Sequence, residues 1–195
     1  MPYLIQRVSA AILLVVLSPI LAVATAAVRV RDGAPVIYRG TRYGLRGKRF
    51  LQYKIRTMVN DADLLLESHV PGETAMRVTS VGAVLRKTSL DELPQLVNVV
   101  RGEMALVGPR PLIDLVFERV DPSHPRFQVL PGITGLAQVS GRNFLPWSER
   151  LKLDEQYVQS RSVGADVAIL AKTIRVALAQ SDIAPDRNPE QVLDI

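Results

Sequence analysis

Val8 to Val28 is a run of 21 residues without a charged side chain, about the length a helix needs to cross a hydrocarbon core of roughly 30 Å. Ser18-Pro19 interrupts its centre. Three forms are open to such a segment: a cleaved signal peptide, a kinked spanning helix, and a re-entrant helix that enters and leaves by the same face. Ala22-Val-Ala24 and Ala24-Thr-Ala26 mimic a cleavage site. Against export, the apolar run continues past both, and Arg29, Arg31, Arg39 and Arg42 follow closely. That cluster suits the cytoplasmic side under the positive-inside rule. Proline deletes one backbone donor and a neighbouring serine can satisfy the freed carbonyl, so Ser18-Pro19 permits a mild kink or a bend within lipid, and the residues alone leave the two even.

The rest of the chain has room for one small domain. Its 195 residues suffice to bury a core beside the apolar segment, and no internal repeat or second domain is visible. With no cysteine, disulfides, thiol nucleophiles and zinc–thiolate sites are excluded. His69 and His124 stand in polar, loop-like surroundings, which argues against a histidine metal site. The net charge of +5 and pI near 9.8 favour anionic partners, without choosing among nucleic acid, anionic lipid and nucleotides.

The chemistry concentrates between Arg86 and Pro111, RKTSLDELPQLVNVVRGEMALVGPRP. Leu93, Leu96, Val97 and Val100 recur at helical spacing, and Arg101-Gly102 closes the helix. This reading puts Asp91 and Glu92 in its first turn, where unpaired N–H groups and the macrodipole suit a carboxylate or a phosphate. Ser89 and Glu92 also fit a capping box, the commoner meaning of that spacing. Capping does not require Asp91, however, and Pro94 makes the start irregular. Gly108-Pro109-Arg110-Pro111 is a stiff turn that aims one guanidinium.

Around this stretch the expected elements are short. Val36 to Tyr38 and Phe50 to Ile55 read as strands within the most basic part of the chain, most of whose arginines and lysines suit a solvated or lipid-facing surface. Helices are expected over Asp61–Ser68, Thr79–Lys87, Leu112–Val120, Ser148–Gln159 and Ala165–Ala179, and a loop with a short strand over Phe127–Val139. The last of these helices is amphipathic and suits a membrane interface slightly better than a soluble core. Trp147 could anchor at that interface or stack on a base.

Several linked motifs carry a family resemblance. Lys87-Thr-Ser-Leu-Asp-Glu-Leu-Pro-Gln-Leu96, Asn98-Val-Val-Arg-Gly-Glu-Met104, Val107-Gly-Pro-Arg-Pro111, Pro131-Gly-Ile-Thr-Gly135 and Gln138-Val-Ser-Gly-Arg142 resemble the bacterial sugar transferases called monotopic phosphoglycosyl transferases. Tyr53-Lys-Ile-Arg-Thr-Met58 is similar to the family's Lys-Phe-Arg-Thr-Met segment, with Ile55 in place of phenylalanine. The likeness runs in order from about residue 3 to about residue 180.

The resemblance implies an α+β, mainly helical fold. It divides the chain into a re-entrant membrane helix over residues 1–30 broken at Ser18-Pro19, a catalytic domain over 31–181 with short strands and interfacial helices, and a loosely held tail over 182–195. It implies transfer of a sugar phosphate from a UDP-sugar to polyprenyl phosphate with release of UMP, on the cytoplasmic face of the bacterial inner membrane and against its phospholipid. Asp91 is then the nucleophile and likeliest Mg2+ ligand and Glu92 its dyad partner, while Lys54, Arg56, Arg86, Arg110 and Arg142 are phosphate contacts. No nucleic acid beyond the nucleotide is implied. The sugar, the pathway and the oligomeric state are not legible. Two other classes compete: a membrane-attached module binding anionic lipid or nucleic acid, and a phosphohydrolase with water as acceptor.

Overall fold

The computed structural model describes residues 1–60, 77–141, 145–178 and 195; the expected Asp61–Ser68 helix, the 182–195 tail, His69 and Arg142 lie outside them. The described chain is mixed helix and strand, mainly helical, as expected. Helix α1 (Tyr3–Arg31) contains the apolar run and continues through Pro19, a length of about 43 Å at 1.5 Å per residue. Proline leaves the carbonyl four residues earlier without its partner. That carbonyl is Val15's, and Ser18 Oγ donates to it at 2.7 Å. The serine thus supplies the hydrogen bond that its neighbour removes.

Both ends of α1 are fastened to the domain, while one side of its middle faces outward. Near the N-terminus, Gln6 is fully buried: its Nε2 donates to Met1 O, and its Oε1 accepts from Leu106 N at 2.8 Å. Ala24 and Val28, toward the other end, pack with Ile55 and Leu85. Between them Ile12, Val15, Val16 and Val23 are more than half exposed. A run of exposed large aliphatics on one helix marks a surface for lipid or a partner. The helix is long and apolar enough to cross a membrane.

Strands β1 (Ile37–Tyr43) and β2 (Arg49–Ile55) form an antiparallel hairpin in which Tyr38 pairs with Lys54, Gly40 with Gln52 and Arg42 with Phe50. Period-two alternation therefore puts all six residues on one face. Helix α2 (Ser80–Lys87) is capped by Thr79, whose hydroxyl accepts from Gly82 N. Helix α3 (Gln95–Arg101) ends at Gly102 in the left-handed conformation, as the Arg101-Gly102 signal predicts. Two buried amides bind it to the hairpin: Gln52 Nε2 donates to Gln95 Oε1 at 2.8 Å, and Asn98 Nδ2 donates to Leu51 O at 2.7 Å.

Strand β3 (Ala105–Val107) runs parallel to β4 (Gly132–Thr134), the short strand expected between Phe127 and Val139. This pairing brings Gly108-Pro-Arg-Pro111 against Pro131-Gly-Ile-Thr-Gly135. A Cβ at Gly132 would lie 2.1 Å from Gly108 N, so no side chain fits between the two backbones. The expected Leu112–Val120 helix is only one turn, α4 (Asp114–Phe117). Leu112 cannot join it because its N–H and C=O are both bonded to Tyr43. After the short α5 (Leu136–Ser140), helices α6 (Trp147–Ser160) and α7 (Val163–Leu178) match the last two expected helices within a few residues. Trp147 is buried with Leu112, Val116 and Phe127, which makes it a core residue. Val163, Val167 and Ile174 of α7 are exposed.

One close approach is testable. A Cβ at Gly82 would sit 2.1 Å from Thr57 O, where only backbone could yield. Gly82→Ala is expected to cost about 1–3 kcal/mol through this overpacking, measured by denaturant unfolding. Unchanged stability would show that α2 can lift away from Thr57.

Candidate active site

Asp91 and Glu92 are not in the first turn of α3. They occupy a separate 3-10 turn, Leu90–Glu92, that follows a left-handed Ser89 (φ 56°) and precedes Pro94, which stands at the N-cap of α3. Proline stops regular helix from extending back through the pair. Ser89 makes no side-chain cap, so the capping box suggested by the spacing is absent. Glu92 points instead toward cations: Lys54 Nζ donates to its Oε1 at 2.7 Å and Arg110 Nη2 to the same oxygen at 3.2 Å.

The two adjacent carboxylates lie in different environments. Asp91 is 8% exposed; burial and the neighbouring Glu92 push its pKa up to about 6, against the opposing pull of Lys54 and Arg86. For Glu92, burial also disfavours the charged form, yet Lys54 and Arg110 hold its pKa well below the usual carboxylate range. Glu92 is thus a fixed anion committed to organising two cations. Asp91 is a more basic, poorly solvated carboxylate, the kind of separation that gives two neighbouring acids different roles.

Four of the sequence-predicted residues, Asp91, Glu92, Lys54 and Arg110, are joined by these contacts or charges. Arg86 completes the group: its Nε donates to Thr57 Oγ1 at 2.8 Å, and its charge acts on Asp91. Arg56 is turned elsewhere. It follows Ile55, the last paired residue of β2, and its guanidinium donates to the carbonyls of Asp32, Gly33 and Ala34 at 2.6 to 3.0 Å. That is a clamp on the chain leaving α1.

Sequence reasoning missed the supports. Arg126 is buried, forms an ion pair with Asp154 at 3.0 Å, and donates to the carbonyl of Arg110. It thereby fixes the backbone that aims Arg110. Its only signal was a charge flanked by Pro125 and Phe127. Thr57 and the Gln52–Gln95 amide pair gave no separate signal, because their roles depend on α2 and α3 meeting the hairpin.

Among the described residues no three His, Cys, Asp or Glu side chains converge as a metal cage. Mg2+ does not require one: it is commonly held by one or two carboxylates, with waters and substrate phosphates completing its shell. The buried Asp91, whose charge is disfavoured until a cation joins it, beside a permanently charged Glu92, fits that mode. His124 Nδ1 accepts from Arg126 N, a structural use of the ring.

Comparison with known proteins gives the family of the chain. The family model described as bacterial sugar transferase matches residues 2–180. A Bacillus subtilis protein named uncharacterized sugar transferase EpsL is 41% identical over 181 residues, 92% of this chain and 88% of that one. A Caulobacter vibrioides UDP-glucose:undecaprenyl-phosphate glucose-1-phosphate transferase is 38% identical over 86% of this chain and 66% of its own. The Salmonella typhimurium undecaprenyl-phosphate galactose phosphotransferase is 42% identical over 76% of this chain and 34% of its own. With its acid pair, ordered cations and near-complete match to the family model, the chain belongs to the bacterial sugar transferase family.

Proposed function

We propose that this enzyme transfers a sugar 1-phosphate from a UDP-sugar to polyprenyl phosphate through a covalent aspartyl intermediate. One observation carries the reading: a buried, basic carboxylate, Asp91, beside an acid that holds Lys54 and Arg110 in place. The Asp91 carboxylate attacks the sugar-bearing phosphorus. The bond from that phosphorus to the bridging oxygen breaks, and its electron pair leaves with UMP. An oxygen of the polyprenyl phosphate then attacks the same phosphorus, the Asp91–phosphorus bond breaks, and the carboxylate is restored as the diphosphate-linked sugar departs. No proton need move in either step at neutral pH.

Charge is the main obstacle to this chemistry, since an anion must approach a diphosphate. Lys54, Arg86 and Arg110 supply positive charge on the protein side. Mg2+, when bound at Asp91 with Glu92 nearby, would neutralise phosphate oxygens and withdraw charge from phosphorus. Asp91 is the residue that would hold it. Arg142 is a further phosphate contact by its motif.

The membrane supplies the acceptor. An apolar groove of about 680 Å³ runs between α1 and α2, lined by Pro19, Val23, Ala27, Val81, Val84 and Leu90. Leu90, which lines this groove, precedes Asp91 in the chain, which supports the groove as the place of the polyprenyl chain. In this reading α1 is re-entrant, with Ser18-Pro19 at its bend, and the catalytic residues face the cytoplasm of a bacterial inner membrane. The names of the relatives support undecaprenyl phosphate as the acceptor and a UDP-hexose as the donor.

The test is UMP release by the detergent-held full chain, given a panel of UDP-sugars with Mg2+ or EDTA, with and without undecaprenyl phosphate. Turnover is expected to require both lipid and Mg2+. Sustained release without lipid would identify a hydrolase, and no release from any donor would overturn the transferase reading.

A further inference from the structure

Arg42 stands apart from the rest of the basic hairpin. Tyr38, Gly40 and Arg42 share the face of β1 that pairs with Lys54, Gln52 and Phe50 of β2, so Arg42 belongs to the face carrying the lysine that binds Glu92. Gly40 leaves that face bare at its centre. A Cβ there would meet Tyr38 Cε1 at 2.8 Å and both Tyr38 Oη and Arg42 Nη1 at 3.1 Å, so the phenol and the guanidinium converge over the glycine. Arg42 is half-buried, and among the described residues it makes no ion pair.

The charges around it are ordered. Lys54 and Arg86 act on Asp91; Lys54 and Arg110 act on Glu92; Arg110 in turn acts on Arg42 and on Arg150. Arg42 is lowered from its ordinary pKa first by burial, with the Arg110 charge adding to it, while Tyr38 and Asp114 work the other way. The acid whose charge acts on Arg42 already has a partner: Asp114 accepts from Tyr43 Oη at 2.7 Å. Grouped guanidiniums repel, and burial strengthens the repulsion. Such a group is the form expected of a site that receives a polyanion, and guanidiniums bind phosphate oxygens through paired donors.

We propose that Arg42, braced by Tyr38 over Gly40, binds the phosphate that departs within UMP, with Arg110 lying between it and the phosphate that reacts at Asp91. The inference rests on the transferase reading above and assigns the polarity of the donor: sugar phosphate toward Asp91 and Arg86, nucleotide phosphate toward Arg110 and Arg42. It separates Arg42 from the remaining arginines of the hairpin, which serve as general basic surface.

The test compares wild type, Arg42→Ala and Arg42→Lys as full chains in detergent, using whichever UDP-sugar wild type turns over. The inhibition constant of UMP and the KM for the donor are expected to rise about 10- to 100-fold in Arg42→Ala and less in Arg42→Lys, as for loss of a charged hydrogen bond. The KM for undecaprenyl phosphate should stay within about twofold, a split that general damage to the fold would not produce. An unchanged UMP constant, or donor and lipid KM rising together, would overturn the assignment. If Arg42→Ala fails to melt like wild type, Arg42→Lys decides by the same criteria. A wild type that releases no UMP would remove the transferase reading and this inference with it, whereas an active wild type matched by its variants would remove only this one.

Discussion

Asp91→Asn is expected to abolish UMP release and, in the absence of metal, to make the protein more stable. The activity loss should be roughly 10⁴-fold or more, because the variant lacks the nucleophile and neighbouring groups cannot compensate. The stability gain follows from the environment of the carboxylate. Its pKa is raised by burial and by Glu92 from an ordinary 3.8 to about 6. A raised carboxylate pKa means that the folded state favours the protonated form, so stability is lost as pH rises from about 4 through 6. The rise corresponds to about 3 kcal/mol once the group is ionised in both states. Asparagine keeps the shape and removes the charge. Its advantage in EDTA should therefore be absent near pH 4, grow up to about pH 6 and stay level above. Melting curves at several pH values check this, and an Asp91→Asn protein less stable than wild type at pH 8 would contradict it. Added Mg2+ should stabilise wild type and not the variant.

Arg126→Met should be the most damaging substitution outside the acid pair. It leaves Asp154, 4% exposed, as a buried charge without its partner, a change that typically costs 3–5 kcal/mol, against a total stability of about 5–15 kcal/mol for an ordinary domain. Combining it with Asp154→Leu removes the orphaned charge and is expected to recover most of that stability, since packed apolar side chains can replace a buried pair at little cost. Recovery of stability should not bring recovery of function. The double variant still lacks the guanidinium that holds the Arg110 carbonyl, so its donor KM should remain high while its melting approaches wild type. If the double variant is as unstable as the single one, the Arg126 contribution is packing and not charge.

Much of this molecule was legible in one dimension, for physical reasons that can be named. The apolar run of α1 depends only on composition and length. The Ser18–Val15 hydrogen bond spans three residues, and a proline's missing donor is known before any fold is. The α3 stop at Gly102 and the two C-terminal helices follow from local spacing. Asp91, Glu92, Lys54 and Arg110 could be selected because they fall in motifs whose order resembles a family, and Arg86 because it immediately precedes one of them. Spacing along the chain does not imply that they meet: Lys54 is 38 residues from Glu92, and Arg110 is 18 from it.

Tertiary structure decided the rest, in each case through contacts between segments distant in sequence. Pro94 warned of an irregular start, but only the fold shows that the acid pair occupies its own 3-10 turn and that Glu92 spends its carboxylate on two cations and no cap. Leu112 has helical spacing and yet pairs with Tyr43, because a backbone group satisfied across the hairpin is no longer available to a helix. Arg56 sits two residues from Lys54 within one motif, yet its guanidinium goes to the carbonyls after α1 while Lys54 reaches Glu92. Sequence determined the apolar helix and which charged residues were available; the packing of the hairpin, α2 and the glycine-tight β3–β4 pair decided which charges face Asp91, because burial and distance set the strength of a charge and neither can be read from order along the chain.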